Sequence, residues 1–349
     1  MVNELRRDYL LDRWVIIAPA RAKRPSDYSV PRTSTNQPKA CVFCPGNEAM
    51  TPPASLLLVR GNGGIVKLRD GSGPRRSDWL VRCVPNLFPA VSQPNGGLRP
   101  PHGSFPYVSR RAIGTHEIVI ESPAHDDHPH RASEMQIRLW LEAVMDRAVQ
   151  LSQQPGISAI SIFRNHGREA GASIAHAHTQ IIATEFVPNT LRDEALAMKR
   201  YHQKSGGCAL CRVRAKESKS ERKILDTNDY SIIAPWASVY PCEFWIIPKR
   251  HSERITDLHD EEVACLAKSI HLSFGALANT ISDPPYNAVF HTAPTKARDK
   301  TFHWHLEVYP KLSIHAGFEL GSGVYVNTMS PEAAAPALQA SLKSDTTKN

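Results

Sequence analysis

An α+β chain made of two similar units in tandem is what this sequence predicts. Each unit should be a mainly antiparallel sheet with packed helices and one closed metal site. A set of metal-ligand residues occurs twice in the same order: Cys41-x-x-Cys44, His125 and His176-Ala177-His178, then Cys208-x-x-Cys211, His251 and His303-Trp304-His305. The lone histidine precedes its His-x-His pair by 51 residues (125 to 176) in one copy and 52 (251 to 303) in the other. The gaps from CxxC to that histidine are 81 residues (44 to 125) and 40 (211 to 251), and the surplus falls in Gly- and Pro-rich stretches at 61–74 and 94–106.

The flanking elements repeat as well. Glu117–Glu121 (EIVIE) precedes His125 and Glu243–Ile247 (EFWII) precedes His251, each reading as a strand. A helix follows each. The first, Ser133–Leu151, opens with Ser133 and Gln136 at capping-box spacing and puts Met135, Leu139, Trp140, Val144 and Ala148 near one face. The second, Asp260–Thr280, carries Val263, Leu266, Ile270, Phe274 and Leu277 at similar spacing. Strands at Ile157–Phe163 and Asn287–His291 then lead to the two His-x-His pairs. The order strand, helix, strand, strand thus appears twice, as tandem duplication leaves it, with units at 1–195 and 196–349.

In the first copy, Ile181–Thr184 extends the His176-x-His178-x-Gln180 run as a strand. Alternate strand residues face one way, so His176, His178 and Gln180 share a surface. Two imidazoles and an amide in that array suit a metal ligand, a nucleophile and a phosphate contact. Taken alone, the run fits equally well two polar residues facing solvent.

Bulk properties narrow the class. A chain of 349 residues, 41% of them hydrophobic, is long enough for two cored units. Of seven cysteines, four lie in CxxC pairs, which favours metal binding over a disulfide framework; Cys83, Cys242 and Cys265 read as packing residues. A strand pattern begins within the first fourteen or so residues, leaving no room for a cleavable presequence, and no apolar run approaches the ~18 residues that span a bilayer. No membrane partner and a reducing cytoplasm are expected. The net charge of +8, with a pI near 9.1, is scattered, without an aromatic-interleaved basic stripe. Small anionic substrates account for it better than nucleic acid. A zinc-stabilised nucleic-acid module is further disfavoured because the CxxC pairs lie 167 residues apart (41 to 208).

Two cysteines and two histidines make a tetrahedral N/S set suited to Zn²⁺. The first site is expected from Cys41, Cys44, His125 and His176. His128 or His130 could replace His125, but the repeat register favours His125. The second is expected from Cys208, Cys211, His251 and His303. Both sets are closed, so the zinc should be structural, and losing a CxxC pair should damage folding more than chemistry.

Nearly end to end, the chain resembles the galactose-1-phosphate uridylyltransferase branch of the histidine triad superfamily. The resemblance is carried by Arg13-Trp14-Val15-Ile16, Ala20-Arg21-Ala22-Lys23-Arg24-Pro25, Cys41-x-x-Cys44, Asn86-Leu87-Phe88-Pro89-Ala90, Glu121-Ser122-Pro123-Ala124-His125, Phe163-Arg164-Asn165, Gly171-Ala172-Ser173 and His176-x-His178-x-Gln180. Ala175, Ala177 and Leu87 stand where true uridylyltransferases carry two prolines and an aspartate. The CxxC at Cys208 and the segment Gly317–Asn327 (GFELGSGVYVN) resemble instead the ADP-glucose phosphorylase (adenylyltransferase) members known from plants. That resemblance implies histidine-triad-like units, the N-terminal one catalytic and the C-terminal one degenerate, two zinc sites, no organic cofactor and a homodimer.

It also implies ping-pong transfer of a nucleotide among nucleotide sugar, sugar 1-phosphate and phosphate through a nucleotidyl-His178. AMP transfer from ADP-glucose to phosphate is the leading reading, and UMP exchange with galactose 1-phosphate the alternative. His178 Nε2 must be unprotonated to attack, so the Nδ1 proton needs an acceptor such as a backbone carbonyl. Gln180 stands where hydrolytic members have a third histidine, which favours transfer over hydrolysis. Ser173 and Gly171 are expected at the phosphates, Asn86, Leu87 and Asn165 at the nucleotide, Arg21 and Arg24 at phosphate or ribose, and Gly317 and Asn327 on the sugar or acceptor side. In the second copy Glu307 replaces Gln180 and no Gly-x-Ser segment precedes His303, so that half is expected to be catalytically silent.

Overall fold

The computed structural model describes residues 3–23, 41–93, 103–296 and 300–345. Two short N-terminal strands, β1 (Glu4–Arg7) and β2 (Trp14–Ile17), precede the first half. That half runs β3 (Leu56–Gly61), β4 (Gly64–Leu68), β5 (Trp79–Pro85), β6 (Gly114–Ile120), α1 (Glu134–Ser152), β7 (Ala159–His166) and β8 (His178–Thr184). Helices α2 (Asn189–Ser205) and α3 (Ala209–Glu217) lead into β9 (Lys223–Asp226), β10 (Tyr230–Ile233), β11 (Phe244–Pro248), α4 (Asp260–Ile281), β12 (Tyr286–His291) and β13 (His305–Pro310). The chain closes with α5 (Gly317–Ser322), β14 (Tyr325–Asn327) and α6 (Pro331–Asp345).

Eleven strands form one antiparallel sheet in the order β4-β3-β5-β6-β8-β7-β12-β13-β11-β10-β9. Read outward from its centre, β7-β8-β6-β5 on one side mirrors β12-β13-β11-β10 on the other. The halves join where β7 pairs antiparallel with β12, Tyr286 opposite His166 and Phe290 opposite Ile162.

Period-two alternation assigns the two faces. Ile160 and Ile162 of β7, Ile181 and Ala183 of β8, and Ala288 and Phe290 of β12 enter one core with Trp140 and Val144 of α1 and Leu266 and Phe274 of α4. The other face is covered at its two ends. Phe43 from the first CxxC turn packs on Leu57, Trp79 and Ile120, while Met198 of α2 and Leu210 of α3 pack on Ile233, Trp245 and Ile247. Between these covers Ser161, Phe163, Asn165, Ile182, Asn287, Val289 and Tyr309 line a cleft of about 770 Å³.

Ser133 caps α1 as expected, accepting from Gln136 N at 3.1 Å. The Gln136 side chain does not complete the box; it donates to the main-chain oxygens of Leu80 and Glu121. Met135, expected on the apolar face, is exposed, because it lies on the far side of the helix from the buried stripe through Ile137, Leu141, Val144 and Ala148. The expected division at 195/196 falls inside α2, and β2 packs on the later half, where Val15 and Ile17 meet Ala237 and Val239. β14 adds to β2 in parallel, tying the chain's two ends together. The repeat reports the shared core; the partner of an added strand is a long-range choice it does not contain.

Candidate functional site

In the first Cys₂His₂ group, Cys44 Sγ lies 3.4 Å from His125 Nδ1 and 3.5 Å from His176 Nδ1, and Cys41 Sγ lies 3.7 Å from His176 Nδ1. A tetrahedral zinc with bonds of about 2.3 Å to sulfur and 2.05 Å to nitrogen sets an S–N edge of about 3.6 Å, so the donors stand at coordination spacing. His176 Nε2 donates to Ser122 O at 2.8 Å, leaving the Nδ1 lone pair aimed at the site. Burial and the neighbouring Cys41 push the Cys44 thiol up to about 11; a divalent cation supplies the charge that turns such thiols into thiolate ligands. His128 and His130 take no part. His128 Nδ1 accepts from Arg164 at 2.6 Å, and His130 faces Asp283 at 3.9 Å.

The second group repeats this geometry. His303 Nδ1 is 3.4 Å from both Cys208 and Cys211 Sγ, and Cys211 Sγ is 3.8 Å from His251 Nδ1. His251 Nε2 donates to Lys300 O at 3.0 Å. Within each group all four donor atoms lie within 4.8 Å of one another, so each could hold a metal ion. A third buried group, Glu194, His291, His305 and Glu307, meets the same test. Its members already bond one another: His291 Nδ1 to Glu194 at 2.8 Å and His305 Nε2 to Glu307 at 3.0 Å. Burial lowers the His291 pKa, but Glu194 and Glu307 outweigh it and lift it to about 9.

Strand β8 begins only at His178, so His176, expected in the same strand, stands in a bend just before it. His178 Nδ1 donates to His176 O at 2.8 Å, which leaves Nε2 as the unprotonated nitrogen. Burial, helped by the Arg164 guanidinium, outweighs the bond to the His176 carbonyl and holds this histidine below its ordinary pKa. Phe43 packs edge-on against both rings, at 6.2 Å from His176 and 5.4 Å from His178, so the CxxC turn braces the second ring as well as the first. Beneath β8, Thr179 donates to Glu121, and Arg164 links Glu121, Tyr286 and His128. This fully paired buried network pins β8 from the helix side.

Asn165 follows Arg164, which pairs with Thr179, and so stands beside His178 on the neighbouring strand. Gln180 Oε1 lies 3.0 Å from His116 Nε2, a histidine that belongs to none of the motifs singled out in the sequence. Alternation along β6 was the available signal, because it puts His116, Ile118 and Ile120 on the face of His178. Asn86 Oδ1 accepts from Phe88 N at 2.9 Å while its amide nitrogen lies over the His116 ring, and Leu87 is exposed next to it. Gly171 ends a 3₁₀ turn at φ +84°, a left-handed conformation that suits glycine, just before exposed Ser173. Arg21 is exposed on the turn Pro19–Lys23, and Arg24 lies outside the described residues. Gly317 opens α5.

Asn327, expected on the sugar or acceptor side, is buried instead. It is 0% exposed, donates to Ser238 O at 2.8 Å and accepts from Met329 N at 2.9 Å, so its amide serves the fold and offers nothing to a sugar.

The family model described as Domain of unknown function (DUF4921) matches residues 128–348. The chain is 34% identical to the ADP-glucose phosphorylase of Arabidopsis thaliana over 344 residues, 96% of this chain and 92% of that protein. It is 27% identical to the galactose-1-phosphate uridylyltransferase of Thermotoga maritima over 345 residues, 96% of this chain and 98% of that one. Among solved structures it is similar to the crystal structure of an ADP-glucose phosphorylase from Arabidopsis thaliana with bound ADP-glucose, at TM-score 0.80, 32% identity and coverage of 97% and 99%. A uridylyltransferase structure matches at TM-score 0.73 and 28% identity, covering 99% of each chain.

Proposed function

The chain belongs to the galactose-1-phosphate uridylyltransferase family, and from that premise we propose that it is a nucleotidyltransferase of the ADP-glucose phosphorylase type. It moves AMP from ADP-glucose to phosphate and releases glucose 1-phosphate. The observation that carries the reading is the 2.8 Å bond from His178 Nδ1 to the His176 carbonyl, which commits the ring proton and frees Nε2. The 34% identity to a plant ADP-glucose phosphorylase supports the adenylyl preference.

His178 Nε2 attacks the α-phosphorus, a P–N bond forms, and the bridging P–O bond breaks with its electrons leaving on glucose 1-phosphate. The Nδ1 proton stays on the His176 carbonyl bond, so the intermediate is a nucleotidyl-imidazolium. Phosphate then attacks the same phosphorus, ADP departs and the neutral ring returns. Gln180, Asn165 and Ser173 meet phosphoryl oxygens, Gly171 admits them close to the backbone, and Asn86, Leu87 and Arg21 face the nucleotide, a role the resemblance also implies for Arg24. We assign Zn²⁺ to both Cys₂His₂ groups, where it would supply rigidity rather than Lewis acidity. The two halves are read as duplicated histidine-triad-like units, active and silent. In the homodimer that the resemblance implies, exposed Phe88, Phe105 and Tyr107 would find cover. No helix among the described residues is long and apolar enough to cross a membrane, and a cytoplasmic setting suits the free thiols.

Intact-mass measurement after mixing with ADP-glucose or UDP-glucose tests the reading. An AMP adduct is expected, lost in His178→Ala. A UMP adduct alone would transfer the assignment to uridylyl exchange, and donor loss without phosphate or an adduct would make the protein a hydrolase.

A further inference from the structure

The amide oxygens on both sides of His178 are held from behind, and backbone groups decide which way each amide points. Ala90 N–H donates to His116 Nδ1 at 3.2 Å. A main-chain N–H can only donate, so Nδ1 is the accepting nitrogen and the neutral ring carries its proton on Nε2. That proton goes to Gln180 Oε1, 3.0 Å away. The Asn86 amide nitrogen, 3.2 and 3.3 Å from the two ring nitrogens, is itself a donor and leaves the assignment unchanged.

On the other side, Asn287 Nδ2 lies 2.8 Å from Ala170 O and 2.8 Å from Asn165 Oδ1. A main-chain carbonyl can only accept, so the Asn287 atom is its NH₂ and Asn165 meets it with oxygen. With both oxygens occupied, Gln180 and Asn165 have only NH₂ groups left to offer beside His178.

We propose that His116 and Asn287 are positioning residues that lock Gln180 and Asn165 with their NH₂ groups toward the reacting phosphate. This end of the cleft is then a donor-only cradle for phosphoryl oxygens. The inference rests on the nucleotidyl-transfer reading above. A reversed amide would remove a donor and aim a carbonyl at an anionic oxygen, whereas a donor fixed beforehand needs no reorganisation as charge develops. Burial holds His116 below the ordinary histidine pKa, which keeps its ring neutral and the tautomer intact near pH 7.

The test uses the metal-loaded protein with ADP-glucose and inorganic phosphate, or UDP-glucose if that proves to be the donor. His116→Leu is expected to lower kcat about tenfold, with KM within about twofold and metal content and Tm unchanged. His116→Gln, which keeps a donor toward Gln180, restores most of the rate. Because His116 acts through Gln180, the pair His116→Leu/Gln180→Ala is no slower than Gln180→Ala alone. Asn287→Asp, which obliges Asn165 to turn its NH₂ inward, also lowers kcat. Wild-type kcat in His116→Leu, or additive losses in the double variant, would overturn the proposal. ¹⁵N-histidine NMR, with His116 identified by its absence in the Leu variant, gives a readout that needs no turnover. An Nε2–H ring is expected, and an Nδ1–H ring overturns the lock even if transfer is confirmed. A wild-type protein that turns over neither nucleotide sugar would instead sink the functional reading.

Discussion

Both halves of the molecule build their His-x-His pair alike. The second ring's Nδ1 meets the first residue's carbonyl, at 2.8 Å for His178 and His176 and at 3.2 Å for His305 and His303. In each half the first ring turns its own Nδ1 toward two cysteines. The second rings then part ways. His178 is 6% exposed, and its Nε2 has no hydrogen-bond partner among the described residues. His305 is 0% exposed, lies against Trp245 and stacked His291, and spends Nε2 on Glu307, which also accepts from Tyr309. One scaffold thus leaves one ring with Nε2 unengaged and ties the other to a carboxylate, depending on what stands two residues further along the strand and on whether a helix covers the face. Gln180 leaves the ring free; Glu307 captures it, and α2 brings Glu194 to His291 to close the pocket.

The comparison can be broken most sharply at its centre. His178→Ala should cut transfer by roughly ten-thousand-fold or more, with metal content intact, and mass spectrometry should find one AMP per wild-type chain; two would show that His305 also reacts. Cys41→Ala should remove one metal equivalent and activity together, because Phe43 of the same turn braces the His178 ring. Cys208→Ala should also remove one metal equivalent but register as a lower Tm, with the folded fraction still forming the adduct. Retained activity in Cys41→Ala at reduced zinc would refute that asymmetry. Gln180→Glu, which makes the first half resemble the second, should slow transfer by about a hundredfold or more through loss of a donor and added repulsion. The smallest catalytic effect is expected from His305→Ala, with kcat within about twofold. It should nonetheless cost about 3 kcal/mol of stability by leaving the buried Glu307 carboxylate without one of its donors, as read by chemical denaturation.

Much of this architecture is legible in the chain because the relevant signals are local or repeated. CxxC turns, a capping Ser133 and strands with alternating faces depend on neighbours a few residues away. The two ligand sets repeat in order, which favours His125 over His128 and His130, and His125 is the one that stands beside Cys44 in the fold. That the second half departs from the first was legible in one residue, Glu307 for Gln180. Asn327 misled because its motif identity says nothing about burial. His116 and Asn287 went unread because their significance lies in partners 64 and 122 residues distant, Gln180 and Asn165.

By itself the sequence determined the duplicated order of elements and the two Cys₂His₂ sets that the fold gathers, since these follow from residue identity and spacing along one chain. Tertiary structure alone decided that β7 and β12 fuse the halves into one sheet, that β14 joins β2, and that α2 closes one face while the centre stays open. It also decided which nitrogen of each imidazole bears the proton and which end of each amide faces the cleft. Those outcomes depend on hydrogen-bond partners and on exclusion of water, which exist only once distant segments have met.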